Sequence, residues 1–457
     1  MTLRAIPLPT LADEVAGDHA PLHGAEAIPT HAARELPAAP RQAQDTGLSS
    51  LLLSDLLLKV MHQHRLQHLR DLSQHLKLSA GLLEELFVPL RREMLVDVRL
   101  RGALDGDVLY ELTQAGRERA QDALSRSLYS GAAPVPLGAY AARVQAQSVT
   151  SMRITKPRFE QLLGGLTIEP ALRDQLGAAM NSRGAVMLFG PPGAGKTYLC
   201  EQLARLLSGP VAVPHAVEVG GEIIRVYDPL VHRPARAHES AVVAIDNRDR
   251  VDARWMLCER PVVVTGGELT LEMLDLVFDP RAGFYHAPPH FKANNGFFLI
   301  DDLGRQVVTP RQLLNRWLLP MEQHHDYLML RNGAKFRIPF DTRLFFSTNL
   351  RPAEIADEAF LRRIGTKIGI GAVSVDVYRE LMRGACEAQQ LVFDEHAFEH
   401  LVEQCHARAG QPLMACYPRD LVNQIVDRAT YLGVVPRLEP YTINWAWHNY
   451  FAPETTS

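Results

Sequence analysis

Eight consecutive residues near the middle of the chain, Gly190-Pro191-Pro192-Gly193-Ala194-Gly195-Lys196-Thr197, have the types and order that bind phosphate. Glycines let the backbone curl until several amide N–H groups face one point, and a helix starting there adds the positive end of its dipole. Lys196 has the reach for the β- and γ-phosphates of a nucleotide, and Thr197 offers a hydroxyl to Mg2+. The pattern carries this meaning only between a strand and a helix. Val186-Met187-Leu188-Phe189 on one side is a short apolar run, and from Tyr198 the text YLCEQLARLL is helical in pattern. The candidate nucleotide-binding set runs from Gly190 through Tyr198.

A Mg2+ ion shared between a phosphate and one hydroxyl needs a carboxylate as well, because it is a hard cation that prefers oxygen ligands. Gly296-Phe297-Phe298-Leu299-Ile300-Asp301-Asp302 supplies one. Four apolar residues predict a buried strand, and two acids emerge at its C-terminal end, the edge at which open α/β sheets bind ligands. Asp301 is the expected metal ligand, and Asp302 the group expected to orient or polarise an attacking water. Further on, Arg343-Leu344-Phe345-Phe346-Ser347-Thr348-Asn349 is another apolar strand, ending in an amide that could hold the same water. Arg362 and Arg363 in DEAFLRR, and Arg419 in YPRDL, could neutralise charge developing on a transferred phosphoryl group. Taken singly, an arginine pair is usually a solvated face and an asparagine at a strand end is usually a turn.

The elements that must position these groups follow from patterning. Over residues 150–372 apolar strand-like runs alternate with helical patterns, which predicts an α/β domain on a parallel sheet flanked by helices. Residues 373–457 contain three amphipathic helical stretches, VDVYRELMRGACEAQQ, DEHAFEHLVEQCHARA and PRDLVNQIVDRATYL, forming a small helical lid. Residues 1–46 are rich in Ala, Pro and His without a period, and are expected to be a disordered tail. Residues 49–129 predict three helices, two strands around Asp105-Gly106 and a fourth helix, an order that resembles a winged helix-turn-helix domain. Residues 130–149 have the composition of a linker. Within residues 50–129, 11 Lys+Arg balance 11 Asp+Glu, and the helix that would read bases opens Ser79-Ala80-Gly81-Leu82-Leu83-Glu84-Glu85. Duplex DNA calls for an excess of cations and for Arg, Lys, Asn or Gln at that place. Protein docking is the favoured use of this domain, with duplex DNA as the alternative partner.

Taken in order, GPPGAGKT, FFLIDD, FFSTN, DEAFLRR and YPRDL resemble the Walker A, Walker B, sensor 1, arginine-finger and sensor 2 motifs of the AAA+ ATPase family, over roughly residues 150–450. The resemblance implies a P-loop AAA+ module that binds and hydrolyses ATP with Mg2+. It also implies Asn349 as sensor 1, Arg419 as sensor 2, and Arg362 or Arg363 reaching into a neighbouring subunit's site in a homo-oligomeric ring. YLMLRNGAKFRIPF, with Asn332-Gly333 between two strand-like runs, is similar to the hairpin that MoxR-type ATPases and bacterial enhancer-binding proteins carry before sensor 1. The GAFTGA signature of enhancer-binding proteins is missing. That clade usually has Asp-Glu where this chain has Asp301-Asp302, one methylene shorter, which implies slower water activation or another group in that role. The 105 residues from Lys196 to Asp301 are long for the interval and imply an inserted element. Within it, the aromatic residues 281–290 are expected to form a packed surface hairpin, with a partner-gripping pore loop as the alternative. The expected work is ATP-driven remodelling of an unidentified protein client. The alternatives are a DNA-associated ATPase or regulator, and a scaffold that binds ATP but turns it over poorly.

Composition sets the outer bounds. The chain has 457 residues, 47% hydrophobic and 22% charged, which excludes a disordered or fibrous protein. With 48 Lys+Arg against 52 Asp+Glu, no global positive field draws the chain to nucleic acid or anionic lipid. The five cysteines, Cys200, Cys258, Cys386, Cys405 and Cys416, are odd in number and form no CxxC pair. This argues against a disulfide framework or a structural zinc site and points to a reducing cytoplasm. No apolar run approaches the roughly 20 residues that span a bilayer, so neither membrane insertion nor a secretory signal is expected.

Overall fold

The computed structural model describes residues 36–101, 108–235 and 251–451. The strand Val186–Phe189 has no polar side chain, and a strand without a polar face has to be covered on both sides. It lies in a five-stranded parallel sheet flanked by helices, in the order Thr366–Gly369, Val186–Phe189, Arg343–Thr348, Phe297–Ile300, Val262–Thr265. Phe345 stands opposite Val186 and Thr348 opposite Phe189 on one side, and Thr366 opposite Val186 and Gly369 opposite Phe189 on the other. Every residue of Phe297–Ile300 and Arg343–Thr348 is buried. Because the strands run the same way, the residues that follow Phe189, Ile300 and Thr348 emerge at one edge. The α/β class expected from the alternating pattern is the class observed.

By compactness the chain divides into two units. One comprises Arg153–Leu206, Ile300–Gln306 and Leu344–Ser457. Its C-terminal part is helical, with Val375–Ala388, Glu395–His400, a π-helical turn Leu401–His406, Tyr417–Leu432 and Pro440–Phe451. The 3.6-residue period of these stretches collects Tyr378, Met382, Phe398, Leu421, Ile425 and Ile443 into one core. Ser374 and Asp394 cap two of the helices by accepting from Val377 N and Ala397 N. Residues 452–457 of the predicted lid lie outside the described residues.

The other unit comprises Met1–Met152, Leu207–Leu299 and Val307–Arg343. Its helices Ser50–His64, Leu69–Leu76 and Ala80–Arg92, the antiparallel pair Val96–Arg101 and Val108–Leu112, and the helix Gln114–Arg126 share a core around Leu57, Leu72, Leu83 and Phe87. The predicted Asp105-Gly106 turn lies outside the described residues, as do residues 1–35 of the predicted tail. Of the tail's remaining residues, Ala43–Thr46 form a 3-10 turn, and Ala43 N donates to Glu85 Oε2 at 3.0 Å. The long interval before Asp301 contributes four strands to a second five-stranded sheet. These are Val277–Asp279, Phe284–His286, Glu222–Arg225 and Ala216–Val219, in that order, and the edge is closed by Val135–Pro136. Of the aromatic residues 281–290, the first turn into Phe284–His286, which pairs antiparallel with Val277–Asp279, and the last enter the short helix Pro289–Lys292. Leu128 N donates to Ala282 O at 2.8 Å, Phe284 meets Tyr129 edge-on at 5.5 Å, and Tyr285 is buried. Asn332-Gly333 turns the hairpin between His325–Met329 and Lys335–Pro339, with Gly333 at φ +84°.

One buried charge in this unit has a measurable consequence. Lys59, on Ser50–His64, is buried with its Nζ donating to Ser127 O at 3.1 Å. Burial lowers its pKa from 10.5 to about 8, opposed by Asp55 one turn away. A lysine whose folded pKa is depressed binds fewer protons folded than unfolded, so stability rises with pH between about 8 and 10.5 and the penalty is fully present below that window. Lys59→Met should raise stability at pH 7 by about 1–2 kcal/mol, the relieved penalty less one lost hydrogen bond. It should also flatten the rise. Denaturant titrations at pH 7 and pH 10 check both.

Candidate functional site

The site is assembled where the Val186–Phe189 strand runs out. Gly190 N donates to Thr348 O at 3.2 Å and Ile370 N to Phe189 O at 2.8 Å, so the neighbouring strands hold the loop's first residue. Gly190 has φ +148°, and a Cβ there would stand 1.9 Å from Ile370 O. Gly193 has φ +80°, and its Cβ would meet Cys416 Sγ at 2.6 Å. Both positions need glycine, by backbone conformation and by space. The loop ends at the N-terminus of Lys196–Ala204. Tyr198, on the first turn of that helix, is 55% exposed.

Lys196 is buried, and its Nζ donates to Gly190 O at 2.9 Å, Pro191 O at 3.0 Å and Asn349 Oδ1 at 2.7 Å. Burial holds its pKa below the usual lysine value, against the pull of Asp302 and then Asp301. Thr197 Oγ1 faces both oxygens of Asp301, at 3.1 and 3.0 Å. Asn349 Nδ2 donates to Asp302 Oδ1 at 3.2 Å, so Lys196, Asn349 and Asp302 form one hydrogen-bonded chain. The hydroxyl of Thr197 and the carboxylate of Asp301 make a hard-oxygen donor pair that fits Mg2+, and the bare glycine loop beside it fits phosphate.

Two of the three arginines pair with nearby acids. Arg362 is exposed and pairs with Glu358 at 3.1 Å, and Arg419 is exposed and pairs with Asp420 at 3.2 Å. Arg363, also exposed, precedes the turn into Thr366–Gly369. Among the described residues, the ion pairs of Arg362 and Arg419 are with these acids and not with the loop. Three contributors have no signature in the sequence: Cys416, whose N donates to Gly193 O at 3.1 Å, and Gln306 and Thr348, which bond the backbone around the acidic pair. Side-chain bonds to turn carbonyls follow no spacing rule that could reveal them.

The geometry defines an α/β chain whose parallel sheet opens onto a glycine loop flanked by lysine, threonine and two acids. A sequence family described as a domain of unknown function, DUF8689, matches residues 374–449, the C-terminal helical region. No curated protein matches the sequence. Among solved structures, NtrX from Brucella abortus in complex with ATP is similar at 14% identity and a TM-score of 0.38, covering 67% of this chain and 59% of that one. The same protein in complex with ADP gives 14% identity and a TM-score of 0.34, covering 72% and 65%. The Thermotoga maritima RuvB Holliday junction branch migration motor gives 14% identity and a TM-score of 0.32, covering 64% and 67%. The chain thus spans about three fifths of the NtrX chain in its ATP complex. At such TM-scores the functional reading depends on the site itself.

Proposed function

We propose that this chain is an AAA+ ATPase of the pre-sensor-1 hairpin, MoxR-like clade, which hydrolyses ATP in a homo-oligomeric ring to remodel a protein client in the cytoplasm. The observation that carries the reading is the convergence of the Thr197 hydroxyl on the Asp301 carboxylate beside Lys196, at the mouth of the glycine loop. Thr197 and Asp301 would hold Mg2+, which when bound neutralises charge on the β- and γ-phosphate oxygens. Lys196 exchanges its carbonyl partners for the terminal phosphate. Asn349 and Asp302, bonded to each other, orient a water, and Asp302 takes its proton. The hairpin ahead of Arg343–Thr348 supports the clade, and the order of helices and strands over residues 50–126 supports a winged-helix domain. Glu84 and Glu85, in the early turns of the would-be recognition helix where duplex DNA calls for cations or amides, support a protein client over duplex DNA.

Magnesium-dependent ATP hydrolysis, measured against chain concentration, tests the reading. Specific activity should climb as chains assemble, and a chain that neither binds nor hydrolyses ATP at any concentration would contradict it. If an arginine completes a neighbour's site, Arg362→Ala and Arg363→Ala should differ. One should lower turnover about a hundredfold with ATP still bound. Equal, full activity in both would move the intersubunit finger elsewhere.

A further inference from the structure

The turn that carries Asp301 and Asp302 is held by two side chains with no part in the chemistry above. After Phe297–Ile300 the backbone reverses through Asp302 at φ +49° and Gly304 at φ +108°. A left-handed conformation at a non-glycine residue is uncommon and persists where its surroundings enforce it. Gln306, buried, enforces it from one side. Its Nε2 donates to Asp301 O at 3.1 Å, and its Oε1 accepts from Gly304 N at 2.9 Å. Thr348, fully buried, acts from the other, its Oγ1 donating to Leu303 O at 2.7 Å and accepting from Leu350 N at 3.1 Å. Leu303 N adds a bond to Ser347 O at 2.8 Å. The backbone is thus tied at Asp301, Leu303 and Gly304, and from this fixed turn one carboxylate reaches Thr197 and the next reaches Asn349.

We propose that Gln306 is a positioning residue for hydrolysis. It locks the Asp301-Asp302 turn so that the metal-holding and water-orienting carboxylates are presented together, with Thr348 as the second tie. The proposal deepens the ATPase reading and rests on it. Without Gln306, Asp301 O and Gly304 N lose their partner, and the turn can relax out of its left-handed state. A shift of about 1 Å in a catalytic group costs on the order of a hundredfold in rate. Binding of the triphosphate depends on Lys196 and the glycine loop, whereas the Gln306 side chain bonds the turn at Asp301 O and Gly304 N.

Gln306→Met keeps the side chain's length and removes its bonds to Asp301 O and Gly304 N. The full chain should then show kcat lowered roughly ten- to hundredfold, with KM and affinity for Mg-ATP within about twofold of the wild type. The split between kcat and KM is the readout that a merely structural role would not give, since a loosened fold would weaken nucleotide binding along with turnover. A Gln306→Met chain at wild-type kcat, or one whose KM rises in step with the fall in kcat, would overturn the proposal while leaving the ATPase reading intact. Wild-type chain that binds no Mg-ATP would overturn both. Should Gln306→Met fail to fold, Thr348→Val, which removes the second tie, carries the same decision.

Discussion

Lys196→Ala should lose Mg-ATP affinity by at least about a hundredfold. In the structure its ammonium spends its donors on Gly190 O, Pro191 O and Asn349 Oδ1, all neutral acceptors. Exchanging even two of these for phosphate oxygens makes charge-assisted bonds of about 1.5–3 kcal/mol each, a combined factor of roughly 10² to 10⁴ in the dissociation constant. Burial depresses the lysine's pKa and the two carboxylates raise it; an arriving triphosphate adds further negative charge and favours the ammonium more. Calorimetric titration of the wild type and the variant reads this directly. Equal affinities would mean that the glycine loop is a structural turn.

Asp302→Asn should leave ATP binding within a few-fold of wild type and reduce turnover by about a thousandfold. The substitution is conservative for the backbone, because asparagine is among the few non-glycine residues at ease at the positive φ found at this position. The amide can still meet Asn349, but it cannot accept the water's proton. Loss of turnover with retained binding therefore reports chemistry and not folding. Full-rate hydrolysis by this variant would transfer the role of base to another group.

How much of this was legible in the sequence depended on how local the determinant was. Residues 190–197 announce themselves because phosphate binding constrains consecutive positions, and Asp301 follows because four buried apolar residues end at it. The α/β class was legible in the alternation of apolar runs and helical periods. The order of the sheet was not, since apolar strands of four to six residues do not specify their neighbours. The length of the interval before Asp301 signalled extra structure, but nothing in Val135-Pro136 marked it as the edge strand of that structure's sheet. Gln306 and Thr348 escaped for another reason: their bonds go to backbone atoms of a turn, and any residue can supply those atoms. Arg362 and Arg419 are themselves exposed and pair with Glu358 and Asp420, and ion pairs of an exposed arginine contribute little, on the order of 1 kcal/mol or less, so the pairs do not mark a role for either arginine.

All of these expectations depend on one metal-bound triphosphate being gripped from two strand ends at once. The sharpest measurement is Mn2+ binding in the presence of ATP, followed by electron paramagnetic resonance in the wild type, Thr197→Val and Asp301→Ala. The wild type should take up Mn2+ only with ATP, and each substitution should weaken that uptake by tenfold or more on the order expected for a lost metal ligand. Uptake that is unchanged by both substitutions would contradict the account.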